Sequence, residues 1–262
     1  MGSYLIGTSG YSYDDWRGVF YPADLPKNKM FDYYTRFYKA VEINSTYYRL
    51  PGIQSFERLS QKAPEGFEFV VKAHQTVTHL RENPEESLNR LLLLTEPMKE
   101  KAQLGGILLQ FPYSFKNTPG NRDYLKKLRD ICGDVALFVE FRNISWLREE
   151  VYELLKMHQL GYVNVDQPRL KGLLPPQSQV TSHLGYVRFH GRNETNWWQG
   201  SNLERYDYEY TPQQLEEWLI RIADILKKSF RTYIFFNNHP RGQAISDSKK
   251  LENLLNSYLP HH

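Results

Sequence analysis

The chain has a single cysteine among its 262 residues, Cys132, so no internal disulfide bond can form. This scarcity is typical of proteins that fold in a reducing compartment, and we therefore expect a cytoplasmic protein. The sequence also lacks any run of about 18 apolar residues, so we expect no membrane-spanning helix and no membrane partner. The first residues enter a strand-like YLIGT segment at once, without the features of a secretion signal.

An excess of charge of one sign is also missing. The 33 Lys and Arg residues against 30 Asp and Glu residues give a net charge of +3. A charge this small does not by itself indicate a surface that binds nucleic acid. Aromatic residues are abundant instead, with 19 Tyr, 14 Phe and 5 Trp. Because aromatic loops often serve as stacking surfaces, we expect aromatic side chains at a binding site.

The glycine-rich turns of nucleotide-binding folds are absent. Neither GxGxxG nor GxxxxGK[ST] follows the first predicted strand, whose turn is TSGYSYDDW, and this disfavours an open doubly wound sheet. Eight β-rich segments alternate with helical patterns, at residues 4–8, 41–44, 67–73, 106–111, 136–142, 162–166, 186–190 and 233–238. Such alternation predicts a parallel sheet. Eight units of about 33 residues each match a (β/α)8 TIM barrel.

No linker or break in composition divides the chain, so we predict a single (β/α)8 barrel domain over residues 1–260. The terminal His261-His262 pair is interpreted as the remnant of an affinity tag. Two helix starts are predicted at Asn83-Pro84 and Thr211-Pro212, where an N-cap residue precedes a proline. Ser145 is predicted to cap a third helix.

Five of the predicted strands end in two polar residues at positions i and i+2. Alternate residues of a strand share one face, and the active sites of TIM barrels lie at the C-terminal ends of the strands. We therefore expect the pairs to form one polar layer at the mouth of the barrel. They are Glu42 with Asn44, Lys72 with His74, Glu140 with Arg142, Asn164 with Asp166, and Arg188 with His190.

The charges of this layer are expected to balance. Its acids are Glu42, Glu140 and Asp166, and its bases are Lys72, Arg142 and Arg188. Two interpretations stay open: a self-satisfied ion network fills the top of the barrel, or the layer is retained for a ligand because burying charges is costly. We interpret Glu42, Glu140, Asp166 and His190 as candidate catalytic residues, since clustered acids and bases shift one another's pKa as proton transfer requires.

Candidate ligand-binding residues are polar or aromatic groups at the same rim. Cations clamp phosphate or carboxylate groups, and aromatic rings stack on bases or sugars. The loop at residues 191–210 contains Trp197 and is predicted to form an ordered lid. The candidates are Asn44, Lys72, His74, Gln110, Arg142, Arg188, Trp197, Asn237 and Asn238. HExxH is absent and the set of His and acidic ligands is small, so we expect no catalytic metal and no cofactor.

At these residues the sequence resembles the YecE-like family, known as domain of unknown function 72. The matching segments are EINSTYYRLP (42–51), FVVKAHQTVTH (69–79), LLQFP (108–112), VEFRNISW (139–146), VRFHGRN (187–193) and FFNNHPRGQA (235–244). The resemblance implies a TIM barrel without an established activity. It also suggests a similarity in shape to endonuclease IV-type barrels, which is an analogy of fold and does not determine function. The chain departs from the family at Asn143, where members usually carry His, and at Asp247-Ser248, where they usually carry Asn-Ala.

Three functions remain open at this point. The first is an enzyme acting on a small phosphorylated or otherwise anionic ligand, with nucleic acid among the candidate substrates. The second is a carbohydrate-active hydrolase that uses Glu42 and Glu140 as paired carboxylates beneath Trp197 and Trp198. The third is a non-catalytic module that binds nucleic acid through aromatic and basic side chains. Hydrolase activity and the oligomeric state are left open as well.

Overall fold

Within residues 1–259, nine parallel β-strands form one sheet that curls into a nearly closed barrel. They are β1 Ser3–Ser9, β2 Ala40–Ile43, β3 Glu68–Lys72, β4 Leu104–Gln110, β5 Leu137–Glu140, β6 Leu160–Tyr162, β7 Asn164–Asp166, β8 Leu184–Phe189 and β9 Arg231–Phe236. Each of the eight predicted strands overlaps one or two of them. The computed structural model describes residues 1–259, so the predicted end of the domain at 260 and the interpreted tag at 261–262 lie outside the described residues.

The barrel has nine strands because the segment predicted as one strand at 162–166 changes partners halfway. β6 pairs with β5, whereas β7 pairs with β8, and only Val163 separates them. The backbone N–H of Tyr162 donates to the hydroxyl of Thr181 at 2.8 Å rather than continuing the ladder. The order of the strands is β6-β5-β4-β3-β2-β1-β9-β8-β7, so its two ends are consecutive in the chain.

The strands are connected by α-helices that pack apolar faces against the sheet. Within residues 1–259 they are α1 Met30–Tyr34, α2 Ile53–Lys62, α3 Pro84–Glu100, α4 Pro119–Cys132, α5 Glu149–Met157, α6 Asn202–Tyr206, α7 Pro212–Glu216, α8 Leu219–Lys228 and α9 Gln243–Tyr258. The predicted start of α7 is confirmed, because the Thr211 hydroxyl accepts a hydrogen bond from the backbone of Gln214 in a capping box. The predicted cap at Ser145 is wrong. The Asn143 side chain caps a short 3-10 turn there, and α5 begins at Glu149.

Aromatic rings fill the interior of the barrel below its mouth. The ring centroids of Phe138 and Tyr186 are 4.6 Å apart, and those of Tyr186 and Phe235 are 5.6 Å apart. Tyr233 completes this group and is buried, like the others. The polar residues at the mouth therefore rest on a packed aromatic layer, which keeps water away from their lower side. No helix within residues 1–259 is both long enough and apolar enough to cross a membrane.

Candidate functional site

Arg188 lies at the floor of the barrel mouth and bridges two buried carboxylates. Its Nη1 is 2.5 Å from Oε2 of Glu140, and its Nη2 is 2.6 Å from Oε1 of Glu42. Glu42 also accepts hydrogen bonds from the hydroxyl of Ser9 at 2.6 Å and from that of Tyr186 at 2.5 Å. Both carboxylates are completely buried. The guanidinium of Arg188 therefore bridges Glu42 on β2 and Glu140 on β5.

Glu140 and His190 form a second part of the floor. Oε1 of Glu140 is 2.8 Å from Nη2 of Arg142 and 3.1 Å from Nε2 of His190, and Nδ1 of His190 is 3.2 Å from the amide nitrogen of Asn237. Burial, followed by the charge of Arg142, lowers the pKa of His190 to about 3. Burial alone would raise the pKa of the Glu140 carboxyl, but Arg142, Arg188 and His190 hold it well below its usual range. Glu140 is thus ionised and His190 is neutral at neutral pH.

Lys72 ends β3 without a carboxylate within 4.0 Å of its ammonium in the described part of the chain. Its Nζ donates to Oε1 of Gln110 at 2.8 Å and lies 4.4 Å from the centre of the Tyr47 ring. The amide nitrogen of Gln110 donates to the carbonyl of Phe111 at 2.7 Å, and this contact orients the Gln110 side chain. Burial, reinforced by the charge of Arg188, lowers the pKa of Lys72 to about 7. A large share of Lys72 is therefore a neutral amine under ordinary conditions.

A cavity of about 690 Å³ opens above this floor. Its volume is in the range of small-molecule sites, which is about 300–1,000 Å³. Its charged lining residues are Lys72, Arg142, Arg188 and Arg205, and no Asp or Glu of the described residues lines it. The rest of the wall is mainly aromatic rings and amides. The arrangement suits a ligand that carries negative charge.

The loop 191–210, predicted as a lid, lies over the cavity. Trp197 is buried and packs on the guanidinium of Arg142, whose carbon is 5.2 Å from the ring centroid. At the opposite side of the mouth, the amide of Asn202 donates to the hydroxyl of Tyr48 at 2.9 Å. The lid therefore joins the connection after β8 to the connection after β2, across the top of the site.

Asp166 does not belong to the polar layer. Its carboxylate accepts hydrogen bonds from Arg192, from the hydroxyl of Tyr210 and from Nε1 of Trp218, each with a shortest distance of 2.7 Å. Trp218 packs on Phe189 at 5.1 Å between ring centroids. Phe189 follows the inward-pointing Arg188 on β8, so its side chain points outward, towards Trp218. The carboxylate of Asp166, which binds Trp218, therefore faces the helices outside the barrel.

The balanced charge expected from the sequence is therefore wrong. With Asp166 paired to Arg192 outside the barrel, the layer contains Glu42 and Glu140 against Arg142, Arg188 and a Lys72 that is only partly protonated at neutral pH. Both carboxylates are already bound to Arg188. The cations beyond these ion pairs are Lys72 and Arg205, and both line the cavity.

His74 and Asn238 also lie apart from the cavity. His74 lines a separate cavity of about 330 Å³, with its Nδ1 2.9 Å from the hydroxyl of Thr76. The amide of Asn238 donates to the carboxylate of Asp247 at 2.8 Å. The structure brings the other predicted residues together at the mouth, namely Glu42, Asn44, Lys72, Gln110, Glu140, Arg142, Arg188, His190, Trp197 and Asn237.

Residues that line the cavity but were not predicted as site residues include Tyr13, His79 and Arg205. His79 lies on a π-helical turn, Thr76–Leu80, and such turns are frequent at functional sites. Tyr13 and His239 stack on each other with centroids 4.5 Å apart. The long loop after β1 and the FVVKAHQTVTH segment were the available signals for Tyr13 and His79. Arg205 belongs to α6 within the lid and had no comparable signal.

We expect Lys72→Met to stabilise the protein at about pH 6, by about 1–3 kcal/mol, because a partly buried ammonium is removed. In the unfolded chain Lys72 holds its proton up to about its ordinary pKa of 10.5, whereas in the folded chain it loses it near 7. The folded state therefore binds fewer protons between these values, and wild-type stability rises with pH across that window. Urea unfolding at about pH 6 and pH 9 measures the effect, which should shrink at the higher pH.

Lys126→Met is the matched control, since Lys126 is an exposed residue of α4 paired with Asp123. This substitution should change the free energy of unfolding little and without a trend in pH. A Lys72→Met variant that is less stable than wild type at about pH 6 would show that the Lys72 ammonium is well solvated or paired in the folded protein.

A metal site is not evident in the described residues, where no group of three or more His, Cys, Asp or Glu side chains is arranged to hold an ion. The His residues on the cavity wall, His79 and His239, have no lining carboxylate beside them. Burial lowers the pKa of both imidazoles, that of His79 to about 4, so both are neutral hydrogen-bonding groups.

Known proteins resemble this chain over nearly its whole length. It is 38% identical to a DUF72 family protein from Thermotoga maritima MSB8, with a TM-score of 0.90 over 97% of this chain and 99% of that one. A DUF72 family protein from Enterococcus faecalis V583 is 25% identical, with a TM-score of 0.86 over 99% and 97% of the two chains. The UPF0759 protein YunF from Bacillus subtilis (strain 168) is 30% identical over 95% of this chain and 94% of its own length.

The family resemblance stated from the sequence is confirmed by a match to a family model. Residues 5–261 match the family described as "Protein of unknown function DUF72". The match includes every strand end that contributes to the cavity floor and the lid above it. The chain therefore belongs to the DUF72 family.

Proposed function

We propose that this protein is an enzyme that acts on a small organic anion, with phosphate esters as the first candidates. The observation that carries the proposal is the charge of the cavity wall, which the guanidinium groups of Arg142, Arg188 and Arg205 line without an acid from the described residues. A cleft lined by charges of one sign concentrates ligands of the opposite sign. We also treat β6 and β7 as two halves of one strand, which makes the barrel a (β/α)8 TIM barrel.

Unpartnered donors at the cavity support an anionic ligand. The Nε atoms of Arg188 and Arg205 are buried and have no hydrogen-bond partner within residues 1–259. Leaving such a donor unsatisfied costs about 1–3 kcal/mol, and more for a charged group. An anion in the cavity would supply acceptors to these two guanidinium groups. Amides on the same wall, including Asn44 and Asn237, offer further hydrogen bonds.

The lid favours a small ligand over a nucleic acid strand. The hydrogen bond from Asn202 to Tyr48 closes the mouth on the side of β2, and Trp197 covers Arg142. A polymer would have to displace these contacts to reach Lys72, whereas a molecule enclosed by about 690 Å³ would not. The non-catalytic nucleic-acid module therefore has less support than an enzyme with a small substrate.

The carbohydrate hydrolase has less support for a different reason. A glycosidase needs a carboxylic acid whose pKa is raised, so that it can protonate the leaving group. The pKa of Glu140 is instead held well below its usual range, after Arg142 and Arg188 overcome the effect of burial. Glu140 and Glu42 are both bound to Arg188 and completely buried, so neither carboxylate lines the cavity.

We expect Arg205→Gln to weaken the binding of anions about tenfold, because one charged hydrogen-bond donor at the ligand is lost. Isothermal titration with inorganic phosphate, pyrophosphate and glycerol 3-phosphate measures the change. Arg205 has no carboxylate partner among the described residues, so its removal leaves the floor intact.

Arg58→Gln is the control for this titration, since Arg58 is an exposed arginine of α2. It should bind each anion as the wild type does. Equal anion affinity for wild type and Arg205→Gln would contradict the proposed site, and no binding of any of the three anions would contradict the proposed substrate class.

A further inference from the structure

We propose that Lys72 is a nucleophile that forms an imine with a carbonyl carbon of the substrate. This rests on the proposed function, because it assigns the reaction of the same anion site. The substrate class then becomes an aldehyde or ketone that also carries a phosphate or carboxylate group. Arg142 and Arg205 bind the anionic group, and Lys72 reacts with the carbonyl.

The position of Lys72 is that of a reactive amine rather than a structural ion. It lines the cavity, and its ammonium has no carboxylate within 4.0 Å in the described chain. Its one side-chain hydrogen bond goes to Oε1 of Gln110 at 2.8 Å, and the contact of Gln110 with Phe111 fixes that oxygen in place. One N–H of a neutral amine is thereby held by Gln110, which leaves the lone pair to the cavity.

The surroundings of Lys72 favour its neutral form. Arg188 on β8 and Arg142, just after β5, disfavour a further positive charge, while Glu140 and Glu42 oppose them more weakly than burial does. Both acids are already paired with Arg188. A lysine next to other cations is a known route to a nucleophilic amine at neutral pH. The pKa of about 7 that follows agrees with the geometry but is not needed to locate the amine.

The reaction balances without an oxidant or a reductant. The Nζ lone pair of Lys72 forms a bond to the carbonyl carbon, and the electron pair of the C=O bond moves to oxygen. The two hydrogens of the amine end on that oxygen, by way of solvent, and it leaves as one molecule of water. The resulting C=N bond takes up a solvent proton. The positive charge of this iminium is offset by the anionic group of the substrate.

Reductive trapping tests the proposal on the full chain. The protein is incubated with pyridoxal 5'-phosphate, an aldehyde that carries a phosphate, and reduced with sodium borohydride; peptide mass mapping then locates the adducts. We expect Lys72 to be labelled at least about tenfold faster than any surface lysine, because a much larger fraction of its amine is neutral. Lys72→Met should lose the fast adduct, whereas Lys126→Met should retain it. Pyridoxal, which lacks the phosphate, should label Lys72 more slowly.

The outcomes separate this inference from the proposed function. Labelling of Lys72 no faster than that of surface lysines, while inorganic phosphate still binds in a titration, overturns the imine and leaves the anion site in place. Fast labelling of Lys72 by pyridoxal and pyridoxal 5'-phosphate alike supports the nucleophile and overturns the anion clamp. A fast adduct that persists in Lys72→Met places the reactive amine elsewhere and overturns the assignment.

Discussion

Arg188→Met is expected to lower the free energy of unfolding by about 3–5 kcal/mol, because two buried carboxylates lose their shared partner. Arg188 is 1% exposed, and it is bonded to Glu42 at 2.6 Å and to Glu140 at 2.5 Å. Glu140 retains Arg142, whereas within residues 1–259 Glu42 retains only the hydroxyl donors of Ser9 and Tyr186. The loss should therefore arise mainly at Glu42. Urea unfolding followed by tryptophan fluorescence measures it.

The loss should be smaller at about pH 3.5, below the ordinary carboxyl pKa of 4.5, than at about pH 7.5. In the wild type the pKa of Glu140 is held low, so its contribution to stability is present at neutral pH and falls as the pH drops towards that value. Without Arg188, one of the groups that hold this pKa down is gone, so the pKa of Glu140 in the variant lies closer to its usual range and acid removes less stability from the variant than from the wild type. Acid therefore stabilises the variant relative to the wild type, and the two stabilities converge.

A combined variant separates the charge effect from the loss of packing. Glu42→Gln and Glu140→Gln added to Arg188→Met remove the unpaired charges and should recover part of the lost stability, since neutral groups are cheaper to bury. Arg58→Met, at an exposed position of α2, is the control for replacing an arginine with methionine. An Arg188→Met variant as stable as this control would mean that water reaches the floor and solvates both carboxylates.

The polar ends of four strands could be predicted from their sequence pattern. Glu42, Lys72, Glu140 and Arg188 end apolar runs that fill a barrel, and parallel strands bring such ends to one rim. The same pattern misplaced Asp166. An i, i+2 pair shares a face of the sheet, but the pattern does not say whether that face points into or out of the barrel. The strand partner changes at Val163, so β7 does not present its alternate residues to the barrel interior as the other strands do.

The lid could be located from the sequence but its contacts could not. Its length and aromatic content indicated a cover over the mouth, whereas the contact between Asn202 and Tyr48 joins residues that are 154 positions apart. The inclusion of Arg205 in the cavity depends on a five-residue helix, α6, that folds within the loop. The formation of short helices in loops depends on tertiary contacts more than on local propensity. The position of Arg205 at the cavity could therefore not be predicted from the sequence.

Asp166→Ala is expected to destabilise the protein by about 3–5 kcal/mol and to loosen the lid, because several buried hydrogen-bond donors lose their shared acceptor. Arg192 lies at the start of the lid and Tyr210 at its end, and both bond to this one carboxylate. Trp218, at the N-terminus of α8, loses its indole partner as well. Urea unfolding gives the stability, and the phosphate affinity reports the position of Arg205 within the lid.

Asp166→Asn distinguishes the role of the charge from that of the shape. An amide keeps one oxygen acceptor, but its NH₂ group must face Arg192 or Trp218, both of which are donors. We therefore expect a loss nearly as large as that of alanine, while Asp134→Asn, at an exposed carboxylate, should change little. Asp166 does not line the cavity, so its variants should leave the residues of the floor in place. Their anion affinity should fall because the lid is displaced. If Asp166→Ala binds phosphate as the wild type does, the two ends of the lid are held in place without this carboxylate.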